Sequence, residues 1–114
     1  MQETKLLSYT TIDFQTKAQM NLYIKYIEQV ENDKNSSEKL QKAGLLRRTH
    51  SQIWNSQNVF RLGISFEYKD EQCFGKVQKL LSEFMDNVET KELLMNTKMS
   101  ASRGIVLVDK LFNF

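Results

Sequence analysis

The residue types able to do chemistry fall in two short stretches. Residues 48–54 hold Arg48, the only histidine, His50, and the only tryptophan, Trp54; residues 61–67 hold Arg61, Ser65 and Glu67. An imidazole titrates near neutrality and can move a proton. A guanidinium meets an anionic group through paired hydrogen bonds, and an indole stacks on a flat ring. Brought together, these groups suit a planar, weakly acidic small molecule. His50 would then be the candidate catalytic residue, a general base for a phenol or enol. Arg48, Arg61, Trp54 and Ser65 would be substrate-binding residues. A lone histidine in a strand is also what an ordinary surface or interface position shows, and the arginines can equally pair with Glu67.

Other chemistries find little support. No CxxC, HExxH, GxGxxG or GxxxxGK[ST] motif occurs, and one cysteine with one histidine cannot build a structural zinc site. No metal and no cofactor is therefore expected. Cys73 falls in the first turn of a helix, where the dipole should lower its thiol pKa, but no base stands within sequence reach. Lys and Arg number 16 against 14 Asp and Glu, for a net charge of +2, and they are dispersed, so nucleic acid is not an expected partner. No apolar run approaches the ~18 residues of a membrane span. No basic segment leads into an apolar one near the start, so no signal peptide is expected. A single cysteine allows no intrachain disulfide, and the expected location is the cytoplasm.

The elements that must position these residues can be read from periodicity. With 114 residues, 40% hydrophobic and 26% charged, the chain fits one domain, residues 1–114, able to bury roughly 65% of its unfolded surface. Residues 5–14 are rich in β-branched and aromatic types and read as a first strand, with Asp13 placed to cap a helix from Gln15. Met20, Tyr23, Ile24, Ile27 and Val30 form a helical stripe. Ser36 or Ser37 should start a second, short helix that Gly44 ends. Residues 45–54 and 59–68 read as strands joined by a turn over 55–58. In the latter, Phe60, Leu62, Ile64, Phe66 and Tyr68 alternate with mostly polar neighbours. Asp70 should cap a helix carrying Phe74, Val77, Leu81, Phe84, Met85 and Val88 on one stripe, a core face and not a cofactor box. Thr90 should cap a further turn through Leu94. Gly104 should lead into a last strand over 105–108. The order β-α-(α)-β-β-α-(α)-β is the split βαβ arrangement. The expected fold is α+β and ferredoxin-like: a four-stranded antiparallel sheet, first and third strands central, with two main helices on one face.

A four-residue turn at 55–58 pairs Trp54 with Val59, His50 with Gly63, Arg48 with Ser65 and Leu46 with Glu67. Trp54, Gln52, His50, Arg48, Arg61 and Ser65 then share the open face, away from the helices. Gly63 opposite His50 leaves room for a ligand. A turn one residue different would flip this pairing.

The chain resembles the dimeric α/β-barrel superfamily, which includes the antibiotic-biosynthesis-monooxygenase-like domains. The resemblance spans nearly the whole chain and rests on element order, length and the aromatic third strand with its charged turn, FRLGISFEYKDEQCF, residues 60–74. It implies two sheets facing each other across a homodimer and enclosing a small cavity. Some members oxidise polycyclic substrates without a cofactor and some degrade haem. Haem-degrading members use an Asn, a Trp and a His, but Trp54 and His50 lie on the hairpin, not on a helix as that histidine does. The expected function is a homodimeric small-molecule-binding protein of cofactor-independent monooxygenase-like type. The alternative is a non-catalytic dimer whose open sheet face serves only assembly. A third is a partner-binding module using the apolar tail Leu111, Phe112 and Phe114.

Overall fold

The computed structural model describes residues 4–113. Strand β1 (Leu6–Phe14) leads to helices α1 (Lys17–Glu31) and α2 (Lys34–Ala43). Strands β2 (Leu45–Gln52) and β3 (Phe60–Tyr68) follow, then α3 (Glu71–Met85), α4 (Val88–Leu93) and β4 (Lys98–Ile105). The four strands form one antiparallel sheet in the order β2-β3-β1-β4. The ferredoxin-like α+β architecture read from the sequence is the one found, with β1 and β3 central.

Several boundaries move for local reasons. Thr16, not Asp13, caps α1, its hydroxyl accepting from the Gln19 amide at 3.1 Å. Asp13 stays in β1 and faces Arg61. Helix α2 begins at Lys34 after Asp33, and Gly44 ends it in the left-handed region at φ +106°, where a glycine is nearly strain-free. The Asp70 carboxylate accepts from the Cys73 amide at 2.9 Å and caps α3 as expected. Asn87 caps α4, while Thr90 is fully buried and shares a 2.9 Å hydrogen bond with the Tyr26 hydroxyl. The last strand ends where 105–108 was expected to begin it. Residues 98–105 pair with β1, whereas Leu107 and Val108 stand about 90% exposed beyond the sheet. An apolar run reads as a buried strand only if a neighbour covers it.

The core lies between the sheet and α1 and α3. Ile12, Phe14, Leu62 and Tyr68 meet Met20, Tyr23 and Val77, all almost completely buried. Ile24, Leu81 and Phe84 are half-buried against this cluster, and Phe60, expected inside, is exposed at the sheet's end. Replacing Leu62 with Ala should cost about 2–5 kcal/mol through lost transfer energy and a new cavity. Leu81→Ala should cost less, because Leu81 already borders empty space. Urea denaturation of both variants checks the order.

Candidate functional site

The site is set by the register of β2 on β3. Leu45 faces Tyr68, but Arg47 faces Glu67, leaving Leu46 without a partner in a β-bulge. From there on the pairing is one residue away from that expected: Arg48 faces Phe66, Thr49 faces Ser65, His50 faces Ile64 and Ser51 faces Gly63. Side chains alternate with period two, so the shift flips the strand. Arg48, His50 and Gln52 therefore share the helix side with Phe66, Ile64 and Leu62. The open-face grouping of His50 and Arg48 with Arg61 and Ser65 is overturned.

Arg61 and Ser65 remain on the open face with Tyr9 and Asp13. Arg61 Nε and Nη2 donate to the two Asp13 carboxylate oxygens at 2.6 and 2.9 Å. This hydrogen bond, with Arg61's charge, holds the Asp13 carboxyl below the usual range. Arg61 is thus already occupied. The room expected over Gly63 is filled: a Cβ there would collide with the Tyr9 hydroxyl and press on Ile53. Trp54 lies beyond the end of β2, 91% exposed, and neither pairs with Val59 nor lines a pocket near His50.

On the helix side, a pocket of about 260 Å³ opens between the sheet and the α1 and α3 side chains. That is close to the lower end of ligand cavities, roughly 300 Å³. Ile64 and Phe66 form its floor, and Ile27, Leu81, Phe84 and Met85 its roof. Phe84 and Met85, read as plain core from the helical stripe, therefore also line a cavity. Arg48, His50 and Tyr23 stand at one end.

Burial lowers the His50 pKa, the Arg48 cation adds to this, and Glu31 opposes it. The imidazole is accordingly neutral at pH 7 and able to accept a proton. Arg48 is nearly buried, and its Nη2 and Nε both donate to Glu31 Oε1, at 2.6 and 2.8 Å. Its charge is balanced inside the protein. Burial pushes the Tyr23 pKa up to about 12, so its phenol stays protonated.

Sequence reasoning missed Tyr23, Ser8, Gln78 and Arg103, which also border this pocket. The signal for Ser8 was present: a small polar residue on the apolar face of β1. Cys73 lies apart, in a groove of about 720 Å³ beside α2 and α3 whose lining mixes Lys, Gln and Arg with Leu40, Leu45 and Leu46. The Asp70 carboxylate, with burial, raises the thiol pKa, contrary to the helix-dipole expectation. That groove is more polar than the pocket beside His50. Among the described residues no cluster suits a metal ion, and no helix is long and apolar enough to cross a membrane.

The fold and pocket define a ferredoxin-like α+β protein with a ligand-sized cavity between its layers. The sequence profile of the family described as Domain of unknown function (DUF6974) matches residues 3–106, and the chain belongs to that family. Two solved dimeric ferredoxin-like proteins, each from an uncultured marine organism, superpose with a TM-score of 0.83. One is 29% identical, covering 95% of this chain and 100% of its own. The other is 25% identical, covering 98% and 96%. A monooxygenase of Streptomyces coelicolor, solved with the ligand nanaomycin D, has a TM-score of 0.66 at 15% identity, covering 96% and 94%. That last likeness shows the fold alone. No functionally curated protein matches the chain. The chain thus has the fold that its resemblance to dimeric α/β-barrel proteins implied.

The His50 shift has a consequence for stability. The unfolded chain takes up its proton near pH 6.5, and the folded chain only at lower pH. Stability should therefore fall on acidification from 6.5 through the lowered folded pKa, with no contribution above that window. Denaturation between about pH 7.5 and about pH 5.5 should show this slope, and His50→Gln should remove His50's share of it.

Proposed function

We propose that this chain is a homodimer that binds a planar, weakly acidic small molecule in the pocket between its sheet and helices. The observation that carries this reading is a neutral imidazole at the end of an apolar cavity of ligand size. Phe66 and Ile64 would lie under a flat ring, and His50 would take the proton of its acidic group. The reaction that suits this arrangement is cofactor-independent oxygenation of a ring methylene. Deprotonation gives a carbanion, which passes its electrons to dioxygen. One oxygen atom stays as a ketone, replacing both methylene hydrogens, and the other leaves as water.

The open sheet face supports assembly rather than binding. Around Gly63 and Arg61 it is filled by its own side chains: Tyr9 covers Gly63, and Asp13 closes Arg61. Leu7 and Tyr9 on that face are each more than 40% exposed, as are Leu107, Val108, Leu111 and Phe112 after β4. Apolar surface of this kind is usually covered by a partner. The 29%-identical neighbour is dimeric, which agrees.

Nuclear magnetic resonance titration with 2-naphthol should shift signals of His50, Ile64 and Leu81, leaving Arg61 and Ser65 unmoved. His50→Ala should weaken binding and abolish oxygen uptake with an oxidisable ring methylene such as anthrone; Arg61→Ala should change neither. Weakening by Arg61→Ala alone would place the ligand on the open face instead. Light scattering at micromolar concentration should report twice the 13.4 kDa chain mass.

A further inference from the structure

Two arginines stand in one row across the helix side of the sheet. Arg48 of β2 faces Phe66, Phe66 faces Ser8, and Ser8 faces Arg103 of β4. Three strand spacings separate the two edges by roughly 14 Å at the backbone, and both side chains border the pocket.

The two differ in what holds their charge. Arg48 is closed by Glu31. Among the described residues no carboxylate pairs with Arg103. Its guanidinium lies 4.8 Å from the centre of the Phe74 ring, and stacking of that kind leaves the N–H edge free to donate.

The groups beside Arg103 are neutral and polar. Ser8 and Gln78 both line this end of the pocket. Tyr68 is fully buried, its hydroxyl beside Gln78 and Ser8, and it does not line the pocket.

We infer that the β4 end of the pocket is a carboxylate subsite, in which Arg103 grips the acid group of a flat, two-ring aromatic carboxylate whose rings lie over Phe66 and Ile64 towards His50. This rests on the reading that the pocket binds a planar small molecule, and it names the ligand's second functional group. A carboxylate suits the site better than a buried phenolate. Arg103 is exposed at the pocket's edge, so a permanent charge can stay partly hydrated there while the rings are buried. Its planar fork also matches two carboxylate oxygens. Ser8 and Gln78 are placed to donate to those oxygens as well.

Calorimetry on the full chain with 2-naphthoate and its neutral isostere 2-naphthamide tests this. Naphthoate should bind at least about 10-fold tighter than the amide. Arg103→Gln should erase that preference and leave amide binding intact, which also shows that the pocket still folds. Arg103→Lys should restore part of it. Equal binding of acid and amide, or a preference unchanged by Arg103→Gln, overturns the subsite while leaving the pocket reading in place. Binding of neither probe, with no shift at His50, overturns both.

Discussion

Strands alternate their side chains, so one unpaired residue decides which face the rest of a strand presents. In β2 that residue is Leu46. Two anchors meet across it. On one side Leu45 is held in the core opposite Tyr68, just after the left-handed turn at Gly44. Gly44 is packed so closely on Cys73 that any side chain there would collide with it. On the other side Arg48 is held by Glu31 at the end of α1. A regular ladder running on from Leu45 would send Arg48 and His50 to the open face. The bulge lets Leu45 stay in the core and still turns both polar residues under the helices.

The electrostatics of the pocket follow from that placement. A guanidinium as buried as that of Arg48 needs a counter-charge, and Glu31 supplies it from an exposed position. His50 beside this pair has no carboxylate of its own and is desolvated, so it stays neutral. The cavity therefore combines apolar walls, a neutral imidazole at the β2 edge and, at the β4 edge, Arg103, with which no carboxylate among the described residues pairs. Tyr26 bonded to Thr90, and the Gln19 amide donating to the Leu93 and Met95 carbonyls at 3.1 and 2.8 Å, tie α4 to α1. These bonds hold the segment leading into β4, and with it the far wall of the cavity.

The two sheet faces divide the work. Most polar residues of the face under the helices border the pocket. The open face pairs Asp13 with Arg61 and covers Gly63 with Tyr9. Such a face suits packing against a flat partner surface.

Periodicity in the chain alone was enough to determine the element order, the fold class, the central place of β1 and β3, and the caps at Asp70 and Gly44. Each depends on local spacing or backbone stereochemistry. The strict alternation from Phe60 to Tyr68 likewise oriented β3, and so put Arg61 and Ser65 on the open face. What the tertiary structure alone decided was the facing of Arg48 and His50, the position of β4, and the place of Ser8, Gln78 and Arg103 along the pocket. No local pattern marks a bulge at Leu46, because it arises from a distant conflict between a core leucine and an ion pair to another element. The apolar run after Gly104 resembled a strand, yet pairing with β1 took residues 98–105 instead. Strand partnership and register are settled by contacts between residues far apart in sequence, and spacing along one chain segment does not encode them.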